Sequence, residues 1–218
     1  AKLSEAEEAP ELNLGGGFGI AYVESEKPIN IKELAQRIIA NVVSLSDELG
    51  IQPPNLCFEP GRIIAGPSGV TLYNVGTIKD VEVSTEPGSA NRRYVAVDGG
   101  MSDNLRFALY GAEYTSSLAT RSSSAEPVLS RVVGKHCESG DIVVNNTYLP
   151  SDLAINELIA VPATGAYCYS LASNYNYLGR PPIASVRDGQ SKLLVRGETE
   201  QDMLARDEGY KTGLADES

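Results

Sequence analysis

A short apolar segment of the chain ends in an acid, a tight turn and a base. Asn55-Leu56-Cys57-Phe58 has the composition of a buried strand, and Glu59-Pro60-Gly61-Arg62 follows it directly. In (β/α) barrels, the residues at the carboxyl ends of the strands carry the chemistry. Gly61 lets backbone N–H groups approach an anion, and Arg62 can bind a carboxylate or phosphate through two parallel hydrogen bonds. The segment predicts a cofactor site, with a plain ion pair between Glu59 and Arg62 as the alternative.

A glycine-rich stretch lies nearer the start of the chain. Gly15-Gly16-Gly17-Phe18-Gly19 follows a short predicted strand, Leu12-Asn13-Leu14. A loop of this kind can bind phosphate, but the glycine spacing is not the dinucleotide fingerprint and no helix follows directly. Phosphate binding and a simple tight turn both stay open from these residues alone.

Two residues further along could hold a carboxylate together. Arg106 and Tyr110 lie four positions apart in Leu105-Arg106-Phe107-Ala108-Leu109-Tyr110. If this segment is helical, the two side chains share one face of the helix. A guanidinium beside a phenol hydroxyl can bind a carboxylate with charge-assisted hydrogen bonds. The alternative is an exposed cation beside a tyrosine of the core.

A cysteine and an acid stand next to each other in a predicted turn between strands. Cys137-Glu138 is flanked by glycines, and the only histidine of the chain, His136, precedes it. A thiol can act as a general acid because its pKa lies near neutrality and a nearby cation can tune it. The alternatives are a half-buried thiol and a surface acid. Tyr167 is a further candidate residue of the functional site, and the alternative is a tyrosine of the core.

The elements around these residues begin with one clear amphipathic helix. Apolar residues recur at helical spacing from Ile31 to Leu49, with Asn30 as the N-cap, Glu33 in the capping-box position and Gly50 as the terminator. Strand, glycine loop, helix and strand make one βαβ unit, which cannot stand alone. It therefore predicts a parallel sheet with more strands than this chain contains.

After Arg62 the pattern changes to short alternating segments separated by Pro, Gly, Ser and Asn, which indicate antiparallel β structure. The predicted strands are Val70 to Tyr73, Gly76 to Val83, Tyr94 to Val97, Val128 to Val133, Ile142 to Asn145 and Glu157 to Val161. A short helix is expected near Ser151 to Asn156, and the tail from Glu198 has the pattern of a solvated helix end. The predicted architecture is a βαβ-containing domain over residues 1–66 and a β-sandwich or Greek-key domain over residues 67–218.

Composition restricts the possible functions. The chain has 218 residues, 42% hydrophobic and 22% charged, and a formal charge of −11. An acidic surface argues against nucleic acid and anionic membranes as main partners. One histidine excludes a multi-histidine metal site, and three cysteines without a C-x-x-C pair indicate reduced thiols. No apolar run reaches the length of a membrane span, and the polar residues 1–10 are unlike a secretory leader, so a cytoplasmic location is expected.

Five motifs follow one another in fixed order: Leu14-Gly15-Gly16-Gly17-Phe18-Gly19, Glu59-Pro60-Gly61-Arg62, Asp98-Gly99-Gly100-Met101-Ser102-Asp103-Asn104, Gly134-Lys135-His136-Cys137-Glu138-Ser139-Gly140-Asp141 and Ala163-Thr164-Gly165-Ala166-Tyr167. Together they resemble the pyridoxal-phosphate (PLP) decarboxylases with an alanine-racemase-like barrel, which act on ornithine, diaminopimelate or arginine. The resemblance is strongest to the diaminopimelate branch and covers residues 14 to about 188. The family's N-terminal half, with the lysine that holds the cofactor, has no match here. The resemblance therefore implies the last strands of a (β/α)8 barrel followed by the C-terminal β domain.

The resemblance also implies roles toward the cofactor. Glu59 would keep the pyridine nitrogen protonated, Gly17 would contact the phosphate, and the Tyr167 hydroxyl would touch that phosphate. The implied cofactor-binding residues are Gly17, Glu59, Pro60, Gly61, Arg62 and Tyr167.

Toward the substrate, Cys137 would return a proton to the decarboxylated carbon from the neighbouring subunit of a homodimer, and Glu138 would accept the distal ammonium. Arg106 with Tyr110 would hold the distal carboxylate, although the prolines that the family usually has near Leu105 and Phe107 are absent. The implied substrate-binding residues are Arg62, Arg106, Tyr110, Glu138 and Tyr167.

The expected function is the decarboxylation of meso-diaminopimelate to L-lysine, the last step of lysine biosynthesis. The 218 residues alone, without the cofactor-binding lysine, are expected to be inactive. Two alternatives stay open. One is an ornithine- or arginine-type decarboxylase, and the other is a non-catalytic paralogue that serves as a binding partner.

Overall fold

The computed structural model describes residues 11–85 and 88–210. The chain divides into two compact units. The first holds the chain up to Val70 together with Pro162–Ala166, and the second holds Thr71–Val161 and the chain from Tyr167 onward. The acidic start of the chain lies outside the described residues. The domain boundary at residue 66 stays a prediction.

The first unit is a βαβ arrangement with two short helical turns after it. Its elements are β1 (Leu12–Asn13), α1 (Ile31–Leu49), β2 (Leu56–Cys57), α2 (Arg62–Ala65) and a 3₁₀ turn (Gly66–Ser68). Strands β1 and β2 pair in parallel, with Leu12 opposite Leu56. The predicted βαβ unit is confirmed, and Glu59 follows β2 as expected.

Helix α1 begins and ends where its local signals place it. The Asn30 side chain accepts a hydrogen bond from the Glu33 N–H at 3.3 Å. Gly50 takes the left-handed conformation that glycine tolerates, and its N–H donates to the carbonyls of Ser46 and Asp47. Most apolar side chains of α1 remain uncovered by the described residues. Some of them line an apolar cavity of about 440 Å³ together with Phe18, Phe58, Pro60 and neighbouring isoleucines.

The second unit is built on a six-stranded mixed sheet with the order β5-β8-β3-β4-β6-β7. Its strands are β3 (Val70–Thr85), β4 (Gly88–Val97), β5 (Ser117–Leu118), β6 (Pro127–Val133), β7 (Ile142–Pro150) and β8 (Leu158–Pro162). Neighbouring strands β3 and β4, β6 and β7, and β5 and β8 are antiparallel, while β4 and β6 are parallel. Valine and leucine side chains from this sheet form the core.

Short helices and one hairpin complete this unit. The helices are α3 (Arg106–Tyr110), α4 (Cys168–Leu171) and α5 (Glu200–Leu204), and a 3₁₀ turn covers Tyr175–Tyr177. Strands β9 (Ile183–Arg187) and β10 (Gln190–Val195) pair as an antiparallel hairpin. The tail helix was expected, and it has a reciprocal capping box between Thr199 and Asp202.

The structure corrects the strand and helix predictions in three places. Val70 to Tyr73 and Gly76 to Val83 belong to one strand, β3, whose register shifts between Val75 and Ile78. The hairpin β9–β10 and the short β5 were not predicted. The helix expected at Ser151 to Asn156 is wrong, because this segment forms turns. Asn156 has a left-handed φ of 69°, and its N–H donates to the Val75 carbonyl of β3 at 2.8 Å, so the end of the segment bonds to β3 instead of continuing a helix.

No helix in the described part of the chain combines the length and hydropathy needed to cross a membrane. Within residues 11–85 and 88–210, no cluster of three or more His, Cys, Asp and Glu could hold a metal ion. All three cysteines are free: Cys168 is buried, Cys57 is half-buried and Cys137 is exposed.

Candidate active site

The glycine-rich loop packs directly against the end of β2. Gly15 and Gly17 have left-handed φ angles of 70° and 81°. The Glu59 N–H donates to the Gly15 carbonyl at 2.8 Å. A Cβ on Gly16 would lie 2.4 Å from the Glu59 carbonyl oxygen, so only glycine permits this approach. The loop and the strand end therefore share one fixed backbone geometry.

Asn13, at the end of β1, orients the Glu59 side chain. Its amide nitrogen donates to Glu59 Oε1 at 2.7 Å, and its carbonyl oxygen accepts from the Gly15 N–H at 2.7 Å. One amide thus ties the acid to the loop. Sequence reasoning did not single out Asn13, although a polar side chain at the end of a parallel strand, next to a glycine loop, is a usable signal.

Arg62 is the first residue of α2, and it stabilises the same loop. Its guanidinium donates to the carbonyls of Phe18 and Gly17 at 3.4 and 3.5 Å. The simple ion pair between Glu59 and Arg62, considered above as the alternative, is thus replaced by contacts to backbone. Of the predicted cofactor residues, the first unit brings Gly17 and Arg62 into contact, and Glu59 packs on the same loop.

Replacing Gly16 by alanine is expected to destabilise the first unit by about 1–3 kcal/mol, because the new methyl group meets backbone that cannot rotate away. Gly19→Ala is the matched control, since a Cβ at Gly19 would meet no atom within 4 Å. Urea unfolding of the two variants, followed by circular dichroism, measures the difference. Equal stability of the two variants would show that the loop is not packed on Glu59 as described.

In the second unit, Arg106 is buried, with 7% of its surface exposed. It donates to the Tyr114 hydroxyl at 2.6 Å, and its guanidinium carbon lies 5.6 Å from the ring centroids of both Tyr114 and Tyr167. Burial raises the pKa of the Tyr114 phenol, which therefore remains a neutral partner. The structure brings Arg106 and Tyr167 together around one cation.

Tyr110 has a different environment from Arg106. The segment is helical, as α3, but Tyr110 at its end is 67% exposed. The alternative, an exposed cation beside a core tyrosine, is wrong, because the cation Arg106 is buried and Tyr110 is exposed. Tyr167 precedes α4 with a left-handed φ of 70°, an unusual conformation for a tyrosine, and half of its surface is exposed. The substrate roles of these residues stay predictions.

Cys137 and Glu138 lie on the loop between β6 and β7. The Cys137 thiol donates to Glu138 Oε1 at 3.5 Å, and the Tyr175 hydroxyl donates to the same oxygen. This second hydrogen bond is the main reason that the pKa of the Glu138 carboxyl lies below its usual range. Glu138 is thus an anion at neutral pH, with an exposed thiol beside it.

The neighbouring histidine pairs with a buried acid. His136 Nδ1 lies 2.8 Å from Asp141 Oδ2, and both side chains are almost fully buried. Asp141 also accepts hydrogen bonds from the N–H groups of Met101 and His136, at 2.6 and 2.8 Å. Its pairing with His136 makes the histidine a support of the loop. Asp141 and Tyr175 were not predicted as parts of the site. Asp141 is 40 positions from its partner Met101, and Tyr175 is 37 positions from its partner Glu138, so no local motif contains either pair.

Comparison with known proteins identifies the family. The model of a family described as "Pyridoxal-dependent decarboxylase, C-terminal sheet domain" matches residues 22–165. The chain belongs to this decarboxylase family. It is 54% identical over 194 residues to a diaminopimelate decarboxylase of Mycobacterium tuberculosis, covering 89% of this chain and 43% of that protein. It is 53% identical over 195 residues to the diaminopimelate decarboxylase of Corynebacterium efficiens, covering 89% of this chain and 42% of that protein.

A solved structure of the same kind has a similar fold. The diaminopimelate decarboxylase from M. jannaschii in co-complex with L-lysine superposes with a TM-score of 0.81 at 30% identity, over 92% of this chain and 43% of that one. The decarboxylase chain described here thus spans less than half the length of these relatives. The sheet of its second unit agrees with the C-terminal sheet domain that gives the family model its name.

Proposed function

We propose that this chain is the C-terminal part of a diaminopimelate decarboxylase, which removes CO2 from meso-diaminopimelate and yields L-lysine. The observation that carries the proposal is the 53–54% identity, over 89% of the chain, to relatives that are named for this activity. The bound L-lysine in the M. jannaschii structure supports lysine as the product. The finer architecture belongs to the same proposal: the end of an alanine-racemase-like barrel, then a Greek-key β domain.

The residues of the first unit fit pyridoxal phosphate. A phosphate needs open space beside the glycine backbone, and a Cβ at Gly17 or Gly61 would meet no atom within 4 Å. Glu59 is an acid held in one orientation by Asn13. An oriented carboxylate of this kind can accept a hydrogen bond from a protonated ring nitrogen, and open glycine N–H groups can donate to a phosphate.

When bound, the cofactor supplies an electron sink for the pair of electrons that the departing CO2 leaves behind. The residues of this chain would hold it and keep it charged. Glu59 would accept the ring N–H, while Gly17, Gly61 and the Tyr167 hydroxyl would bind the phosphate. Pro60 would add apolar contact, and Arg62 would keep the glycine loop in place while its remaining N–H groups face an anion.

Toward the substrate, each end of diaminopimelate would meet its own partner. Arg106, with Tyr110, would hold the distal carboxylate, and the Glu138 carboxylate would accept the distal ammonium. Arg62 and Tyr167 would contact the amino-acid group at the reacting end. Cys137 would give its thiol proton to the carbon that loses CO2, and this geometry is open because the thiol is exposed.

We also propose a homodimer in which Cys137 and Glu138 complete the active site of the neighbouring subunit. Both residues are on one exposed loop of the second unit, where a two-fold related copy could meet them. A cytoplasmic location, as expected for an enzyme that makes an amino acid, goes with this proposal.

The test uses a chimaera, because the matched relatives contain a long segment before the part that this chain covers. In it, the N-terminal part of the M. tuberculosis relative precedes these 218 residues. With PLP, the chimaera should release CO2 and lysine from meso-diaminopimelate, and it should act on ornithine and arginine at least about tenfold more slowly. Faster turnover of ornithine or arginine would favour that type of decarboxylase. A correctly folded, PLP-loaded chimaera without turnover would favour the binding-partner alternative.

Subunit mixing in the same experiment tests the shared site. Cys137→Ala and Glu59→Ala chimaeras should each be inactive, while their co-expression should restore about a quarter of the active sites, because half of the dimers then hold one intact site of two. Co-expression of Cys137→Ala with Glu138→Ala is the control. These two changes fall on the same loop and leave no intact site. Absence of recovery in the first mixture would contradict the shared site.

A further inference from the structure

The two oxygens of the Glu138 carboxylate are in different environments. Oε1 accepts hydrogen bonds from the Tyr175 hydroxyl and the Cys137 thiol. Oε2 is buried and has no hydrogen-bond partner among the described residues. A buried carboxylate oxygen without a donor is costly unless a donor reaches it. Glu138 therefore holds one satisfied oxygen and one that still needs a donor.

Tyr175, the residue that satisfies Oε1, is itself fixed by its backbone turn and by its ring contact. It begins the 3₁₀ turn Tyr175–Tyr177, which the Asn174 side chain closes by donating to the Leu178 carbonyl at 3.1 Å. Its ring stacks on that of His136, with centroids 5.7 Å apart and an angle of 26° between the planes. His136 is in turn paired with the buried Asp141. The phenol hydroxyl is thus held at a defined position beside Glu138.

We propose that Tyr175 is a positioning residue of the active site, which holds Oε1 of Glu138 so that Oε2 is the atom that accepts the distal ammonium of the substrate. This inference rests on the proposed function for the identity of the donor. The underlying contact, from the Tyr175 hydroxyl to the Glu138 carboxylate, is made within this chain and needs neither cofactor nor substrate.

A carboxylate on a flexible glutamate side chain can rotate and present either oxygen. The hydrogen bond from Tyr175 removes this freedom, and the ring stack on His136 removes the freedom of the tyrosine. An ammonium ion is a compact donor that gains most from an oxygen already in place. In agreement with this contact, the pKa of the Tyr175 phenol is raised, chiefly by its hydrogen bond to Glu138.

The first test uses the 218-residue chain without cofactor. Tyrosine labelled with ¹³C at Cζ reports the ionisation of each phenol by NMR, and Tyr175→Phe assigns the signal of Tyr175. Glu138→Gln removes the anionic acceptor, so Tyr175 should then ionise at lower pH, since its phenolate no longer faces a carboxylate. Glu126→Gln, at an exposed acid elsewhere in the same unit, should leave the titration unchanged. An unchanged Tyr175 titration in Glu138→Gln would overturn the inference.

The second test measures the consequence for the substrate in the chimaera. Tyr175→Phe keeps the ring stack and loses only the hydroxyl, so KM for meso-diaminopimelate should rise about 5- to 10-fold while kcat changes less than about 3-fold. Tyr177→Phe, two residues away and largely exposed, should behave like the native chimaera. An unchanged KM in an active Tyr175→Phe chimaera would refute the positioning role.

The two proposals fail in different ways. If the native chimaera makes no lysine, the proposed function is contradicted. The phenol titration then still decides whether Tyr175 holds Glu138, because it needs neither cofactor nor substrate. If lysine is made but the titration and KM are both unaffected, the proposed function stands and the role of Tyr175 is refuted.

Discussion

Replacing Arg106 by alanine is expected to lower kcat/KM of the chimaera for meso-diaminopimelate by about 10- to 150-fold. If Arg106 holds the distal carboxylate as proposed, the change removes a charge-assisted, bidentate hydrogen-bond pair that would contribute about 1.5–3 kcal/mol. Burial of the guanidinium, with 7% of the residue exposed, reduces competition from water and favours the upper part of this range. Steady-state kinetics with meso-diaminopimelate and with lysine, which lacks the distal carboxylate, measure the effect on each substrate.

Arg106 also supports the fold, since it donates to Tyr114 and lies over two aromatic rings. A fraction of the Arg106→Ala protein can therefore be unfolded. The ratio of the two kcat/KM values, measured on one preparation, does not depend on the folded fraction. Arg106→Lys keeps the charge but not the planar pair of donors. Its kcat/KM for meso-diaminopimelate should lie between those of the native protein and the alanine variant. An equal loss for both substrates would assign Arg106 to the fold or the cofactor and contradict its role at the distal carboxylate.

Elements with local signals could be predicted from the sequence. Helix α1 has its N-cap, its glycine terminator and its apolar period within one continuous segment, and the structure reproduces both ends. The alternating segments predicted most strands of the large sheet, but β5 was missed, and β4 and β6 are parallel rather than antiparallel. Signals of this kind depend on residues a few positions apart, which is the range over which a sequence pattern is visible.

Features set by distant contacts could not be predicted. Ser151 to Asn156 has a helical composition, but two distant contacts hold it in turns. The Asp152 carboxylate accepts a hydrogen bond from Arg121 at 2.9 Å, and the Asn156 N–H donates to the Val75 carbonyl. The return of Pro162–Ala166 to the first unit depends in the same way on contacts made nearly a hundred residues away, such as the Thr164 N–H donating to the Gly69 carbonyl at 3.1 Å.

The same division applies to the candidate site. The motifs pointed to Glu59, Arg62, Cys137 and Glu138, because these residue types at turns carry chemistry whatever their neighbours. The residues that orient them were missed, since Asn13 lies 46 positions from Glu59, and Tyr175 lies 37 positions from Glu138. Orientation depends on which segments the fold brings together, and single motifs do not contain that information.

Asp141 is the acceptor on which the loop of Cys137 and Glu138 depends. Three donors converge on its buried carboxylate: the N–H groups of Met101 and His136, and the His136 ring. The surrounding backbone is shaped to this group, since a Cβ on Gly134 would lie 2.2 Å from Asp141 Oδ2. Asp141 thus joins two of the sequence motifs, the one with Met101 and the one with Cys137.

Asp141→Ala should therefore destabilise the second unit by about 3–5 kcal/mol, because it leaves buried donors without an acceptor and breaks a buried pair. Asp80→Ala is the control. Asp80 forms a surface ion pair with Arg93 at 2.8 Å and is mostly exposed, so its loss should cost less than about 1 kcal/mol. Urea unfolding gives the two values, and hydrogen exchange at the Met101 and His136 amides gives the local effect. Both amides should exchange faster in Asp141→Ala and at the native rate in Asp80→Ala. Equal stability of the two variants, with both amides still protected, would show that other groups hold the loop and that Asp141 is not its support.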